Sequence, residues 1–153
     1  MKVFLIIVVI VLLAGLAGFA WLGHSSRSNP PRLGLSGDQF APCPASPNCV
    51  SSDTDSPDHS FPPLPLAANA SWAQIVEQVT ALPNLKVVSD DGQYLRGEVR
   101  SPLFGFVDDL EIHQRGNQLA LRSSSRVGYS DLGANRKRAE QLQQALSEAG
   151  LLQ

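Results

Sequence analysis

Four arginines and a lysine gather in the run Arg122-Ser123-Ser124-Ser125-Arg126-Val127-Gly128-Tyr129-Ser130-Asp131-Leu132-Gly133-Ala134-Asn135-Arg136-Lys137-Arg138, where a strand pattern gives way to a glycine-containing loop and then to helical spacing. The charge order is unusual. A helix N-terminus carries partial positive charge and favours acidic side chains, yet three consecutive cations fall in the first turn or so here, so something negative should lie nearby. Helix N-terminal amides with Arg122, Arg126, Arg136 and Arg138 would make a site for phosphate, sulfate or carboxylate. Ser123, Ser125, Tyr129, Asp131 and Asn135 complete the candidate ligand-binding set, with Ser130 as a further hydroxyl donor.

The competing arrangement is internal. Asp108, Asp109 and Glu111 lie on the preceding strand, and Glu111 faces Arg122 across the hairpin if its turn centres on Gly116. Asp131 can cap the last helix or bracket Arg136. An external-ligand site predicts that removing Arg126 and Arg136 together weakens binding and leaves the thermal midpoint nearly intact. Internal pairing predicts a large loss of stability.

Other catalytic constellations are thinner. His59 or His113 could be combined with a serine and an aspartate, but no serine sits in a Gly-x-Ser-x-Gly elbow, and His113 reads as a solvated residue at a strand end. Asp108 and Asp109 are adjacent on a strand and point to opposite faces, so they would not share a proton. No cofactor is expected. A metal held by Cys43, Cys49, His59 and an Asp competes with a disulfide, but the cysteine spacing is wider than structural zinc sites use, and no metal is expected.

The elements that must position the arginines follow from periodicity. Ser71 precedes Trp72, Ile75, Val76, Val79 and Leu82, which is helical spacing behind an N-cap. Segments 85–89, 93–100, 104–113 and 118–127 alternate as strands, and 134–152 returns to helical spacing with Gly150 as its C-cap. The predicted fold is α+β: one helix, a four-stranded antiparallel meander and a C-terminal helix, both helices on one face of the sheet. Alternation puts Leu110, Ile112, Leu119 and Leu121 on the buried face, and Asp109, Glu111, His113, Ala120 and Arg122 on a wet one. Phe104 and Phe106 read as core, the alternative being a sticky edge for a partner or for lipid.

Ahead of this core (67–153) lie an apolar run with no charge from Val3 onward, assigned as a transmembrane anchor over 1–23, a flexible tether over 24–34 and an irregular Pro/Ser-rich lead-in over 35–66. A cleavable signal sequence is the alternative, but the run is long for one, and Trp21 fits an interfacial anchor. Cys43 and Cys49 after such a segment point to a disulfide and to an oxidising compartment. The expected location is the inner membrane, single-pass, with the domain on the periplasmic side. The chain has 153 residues and a net charge of -2. That leaves one small domain and no electrostatic footprint for nucleic acid.

Three blocks carry a resemblance. Cys43-Pro44-Ala45-Ser46-Pro47-Asn48-Cys49-Val50-Ser51-Ser52, Phe104-Gly105-Phe106-Val107-Asp108-Asp109, and the run from Arg122 through Gly133 with Asn135-Arg136 together resemble the domain-of-unknown-function 1499 family, from about Ala41 to the end. The resemblance implies that the cysteine block belongs to the folded domain, and it brings no catalytic residue with it. The functional expectation is a membrane-tethered extracytoplasmic binding or assembly module, with an anionic small molecule or an envelope protein at the arginines. A hydrolase or transferase acting on an anionic envelope metabolite, with Asp108 or Asp131 as base, is the alternative.

Overall fold

A computed structural model of the chain describes residues 1–28, 31 and 33–153. The apolar run forms α1 (Lys2–Ser28), a helix long and apolar enough to cross a membrane, a property that signal sequences share. Residues 24–28, expected to begin the tether, are instead the last turn of α1. That turn is seated on the domain: Ser26 is buried, and its hydroxyl accepts from the Val107 backbone N–H at 2.8 Å.

The expected segments between 71 and 152 form as α2 (Trp72–Thr80), β5 (Leu85–Asp90), β6 (Tyr94–Arg100), β7 (Val107–Arg115), β8 (Gln118–Ser125) and α3 (Ala134–Glu148). Ser71 closes α2 with a reciprocal capping box to Gln74. α3 ends at Ala149, and Gly150 at φ 67° lets the Gly150 and Leu151 amides return to the Ser147 and Leu146 carbonyls. This is a Schellman cap, and it buries Leu151.

The sheet is larger than a four-stranded meander. The lead-in adds β1 (Leu35–Ser36), β2 (Gln39–Phe40), β3 (Cys49–Ser51) and β4 (Leu64–Pro65). β1 and β2 pair with each other, while the main antiparallel sheet runs β3-β8-β7-β6-β5 with β4 also on β8. The edge of β8 is thus closed by two short strands end to end. β5 is the free edge, and it carries a bulge between Val87 and Ser89 and ends on Asp90, features that discourage pairing with another chain. The lead-in is also part of the core: Val50, Phe61, Leu64 and Leu66 pack in one cluster with Ile75, Val79, Leu110, Ile112, Leu142 and Leu146.

The face assignment from alternation holds, with Ile112 opposite Leu121 and Glu111 opposite Arg122. The polar face is not wet, however. Asp109, Glu111, His113 and Arg122 are all buried, because the 33–44 segment passes over them. The Gly34 N–H donates to Glu111 at 3.0 Å, and the Arg115 guanidinium sits 5.3 Å from the centre of the Phe40 ring while pairing with Asp53 at 2.6 Å. The sheet is therefore covered twice, by apolar helices on one side and by its own N-terminal extension on the other.

Phe104 and Phe106 are not core. They are half-buried in the loop before β7 and pack on α1, where the Phe104 ring stacks on Phe19 at 5.4 Å and Phe106 meets Phe19 edge-on at 6.5 Å. Gly23 lies so close to the Phe104 carbonyl that a side chain there would collide with it. Arg27 donates to the Phe104 and Gly105 carbonyls at 2.9 and 3.1 Å.

Candidate functional site

β8 delivers its residues to two sides because successive strand side chains alternate. On the lead-in side, Arg122 Nη1 lies 3.0 Å from Glu111 Oε2, and the Tyr94 hydroxyl donates to Glu111 Oε1 at 2.7 Å. Burial and the adjoining Glu111 carboxylate both raise the Tyr94 pKa, so this hydroxyl stays protonated and keeps donating. Arg126 bonds both oxygens of Asp109, at 2.7 and 2.8 Å, and Glu98 at 2.6 Å. Its remaining Nη1 donates to the Ser26 carbonyl of α1 at 3.2 Å. Arg96 joins Asp109 at 3.0 Å, and Arg100 joins Glu98 at 3.2 Å. Among the described residues the array sets four arginines against three carboxylates, and Arg122 Nε is buried without a hydrogen-bond partner. A cleft of about 410 Å³ lies between this face and the lead-in, bordered by Arg122, Ser124, Ser125, Arg126, Pro42 and Cys43 among others.

On the helix side, Asn135 is the hub and is buried. Its Oδ1 accepts from the Ser123 hydroxyl at 2.7 Å and from Arg138 at 2.6 Å. Its amide nitrogen lies 3.0 Å from the Asn48 carbonyl, 2.9 Å from Ser125 Oγ and 2.8 Å from Asp131 Oδ2, three acceptors that share two hydrogens. Arg138 also pairs with Asp108 at 2.8 Å. Asn48 holds the following loop by donating to the Gly128 carbonyl at 2.7 Å.

The negative groups demanded by a cationic helix start are thus internal. Asp131 accepts from the Gly133 and Asn135 amides at 3.0 and 2.8 Å and caps α3, Asp108 meets Arg138, and Arg136 reaches the Asp58 and Ser60 carbonyls at 3.2 and 3.1 Å. Among the candidate residues, Arg122 and Arg126 meet on one side of β8, while Ser123, Ser125, Asp131, Asn135 and Arg138 meet on the other. Tyr129 joins neither group and is exposed. His113, expected to be solvated, is buried and accepts from Arg115 Nε at 3.2 Å. His59 Nδ1 bonds the Cys49 carbonyl at 2.9 Å. Cys43 and Cys49 form a disulfide, and among the described residues no His, Cys, Asp or Glu cluster is arranged for a metal.

All three sequence blocks singled out above enter these networks, and a family model described as a protein of unknown function, DUF1499, matches residues 39–146. The chain belongs to the DUF1499 family. No curated protein and no solved structure matches it. In this DUF1499 domain the cysteine block supplies Asn48 and β3, the Phe104 block supplies the seat of α1 together with Asp108 and Asp109, and the arginine block supplies β8, the loop and the start of α3. Sequence reasoning missed Asn48, Arg96, Glu98 and Ser26. Asn48 stood inside a quoted block, but an asparagine in a Pro/Ser-rich segment carries no chemical signature of a hub. The others are brought in by strand order and by α1, which local spacing does not encode.

The carboxylates give the DUF1499 domain a defined acid limit. Arg115 hydrogen bonds hold Asp53 below its ordinary value against the opposing effect of burial. For Glu98, burial pushes the pKa up, and hydrogen bonds from Arg126 and Arg100 outweigh it, leaving a net lowering. A depressed folded-state pKa contributes stability that is present above the unfolded-state values of 3.8 and 4.5 and is lost as pH falls through the folded-state ones. The urea midpoint is expected to hold between about pH 7 and 5 and to drop below about pH 4. A midpoint unchanged down to about pH 2 would contradict the pairing.

Proposed function

We propose that this protein is a binding or assembly module held at the extracytoplasmic face of the cytoplasmic membrane by a retained α1, and that its working surface is the end of the sheet next to α1. The observation that carries this reading is what the array supports. Arg126, Asn48, Asn135 and Asp131 hold the 126–133 loop, and that loop turns outward Tyr129, 76% exposed, and Leu132, 96% exposed. Leu132 sits at φ 55°, a left-handed backbone that a leucine adopts at a cost of about 1–2 kcal/mol. Strain of this kind persists where the surroundings enforce it, and it is concentrated at working surfaces.

Retention of α1 is supported by its seat. Cleavage after Ala20 would remove Phe19 from the aromatic cluster with Phe104 and Phe106. The disulfide supports the extracytoplasmic side, since oxidising compartments preserve such bonds. The enzymatic alternative is less well supported: Asp131 is engaged by the start of α3 and Asp108 by Arg138, and neither borders the cleft beside Arg122 and Arg126.

A photo-crosslinking residue placed at position 132 is expected to give discrete adducts in intact membranes, whereas one at position 144, towards the other end of α3, gives none. Intact mass of the membrane-extracted chain is expected to include residues 1–20. Absent adducts at position 132, or equal adducts at both, would remove the surface; a chain beginning at Trp21 would remove the tether.

A further inference from the structure

We infer that the partner met by this surface is the bilayer itself: the loop bearing Leu103 and the loop bearing Leu132 enter the interfacial layer, and the cleft between the 126–133 loop and α1 takes the upper acyl segment of a membrane phospholipid. The inference rests on the reading of α1 as a retained span and names the partner of the surface proposed above.

Depth is the first argument. The uncharged apolar run ends at Leu22, and Trp21, 67% exposed, marks the headgroup level that tryptophans favour at the end of a span. The domain nonetheless grips α1 on the bilayer side of that level, because Phe104 and Phe106 pack on Phe19. With a rise of about 1.5 Å per residue, Phe19 lies some 3 Å deeper than Trp21. Whatever surrounds Phe104 is therefore at the outer edge of the hydrocarbon.

The second argument is the chemistry of what surrounds it. Leu103, next to Phe104 in the chain, is 81% exposed. Leu132 borders the same cleft as Phe19, Leu22, Phe106 and Val127, and this cleft has a volume of about 320 Å³, enough for several methylene groups. One wall of the cleft is thus the span itself, which places its occupant at the depth of the span's last turns. A single exposed leucine is ordinary, but exposed leucines on two separate loops that both lie beside the end of an apolar helix are not. Asp131 and Asp108 also border the cleft, but both are engaged by the protein: Asp131 accepts from Gly133 N, Asn135 N and Asn135 Nδ2, and Asp108 pairs with Arg138. The loop thereby turns Leu132 outward and holds its one carboxylate in hydrogen bonds to the start of α3.

The test uses the full chain reconstituted in phosphatidylethanolamine/phosphatidylglycerol vesicles, with single cysteines Leu103→Cys, Leu132→Cys or Gln144→Cys labelled with NBD while the Cys43–Cys49 disulfide stays intact. Flotation with the vesicles establishes insertion, and near-ultraviolet circular dichroism establishes the native fold of each variant. NBD at positions 103 and 132 is expected to be quenched several-fold more strongly by lipid carrying a nitroxide at acyl carbon 5 than NBD at position 144, and to be blue-shifted. Shielding of position 132 from aqueous iodide without nitroxide quenching would assign the surface to a second copy of the chain, overturning the lipid inference and leaving the binding surface in place. Full iodide access at both positions in inserted protein would overturn both.

Discussion

Arg126→Ala is expected to destabilise the domain by about 3–5 kcal/mol, the range found when one partner of a buried ion pair is removed. The guanidinium is 2% exposed, and it satisfies Asp109, itself 2% exposed, together with Glu98 and the Ser26 carbonyl. Without it, among the described residues Asp109 keeps only Arg96 and Glu98 keeps only the more exposed Arg100. Urea unfolding of the detergent-solubilised full chain measures the loss. Arg136→Ala, which releases only two carbonyl bonds, should change stability by about 1 kcal/mol. A double variant with a nearly unaltered midpoint would mean that the arginines are not held internally, and would return them to service as a ligand site.

Asn135→Ala is expected to be nearly as damaging, at roughly 2–4 kcal/mol, because it strips acceptors from Arg138 and Ser123 and donors from buried oxygens at one stroke. Asn135→Asp is the sharper variant. It preserves shape and the Oδ1 acceptor, but it sets an oxygen against Asp131 and the Asn48 carbonyl, so it should be no better tolerated than Ala. Amide hydrogen exchange should rise first across 126–133, the loop that Asn48 and Asp131 hold. Stability close to that of the parent chain in the Asp variant would contradict the hub.

How far these features can be read from sequence depends on the length over which a pattern repeats. α2, α3 and β5 to β8 run long enough for 3.6-residue or two-residue periodicity to show, and the Glu111–Arg122 pair followed from the two-residue turn at Gly116-Asn117. β1 to β4 are two or three residues long, shorter than any alternation can establish, so the lead-in read as irregular although Val50, Phe61, Leu64 and Leu66 are core. Alternation also identified the charged face of the sheet correctly and its exposure wrongly. Faces are a local property of a strand, whereas burial of Asp109 and Glu111 depends on where a segment more than 60 residues earlier is laid down. Phe104 and Phe106 read as core for a related reason: their neighbour is Phe19 of α1, a contact that hydropathy cannot assign.

The seat of α1 also joins parts of the chain that are made far apart in time. Arg126 binds a carbonyl 100 residues earlier in the chain, and Val107 binds a hydroxyl 81 residues earlier. If α1 is the retained span proposed above, the N-terminal segment enters the bilayer first, and its docking partners follow only with the third and fourth long strands. Contacts this distant in sequence carry a high loop-closure cost, so under that reading the step that sets the domain's orientation to the bilayer is expected to close the folding reaction rather than begin it.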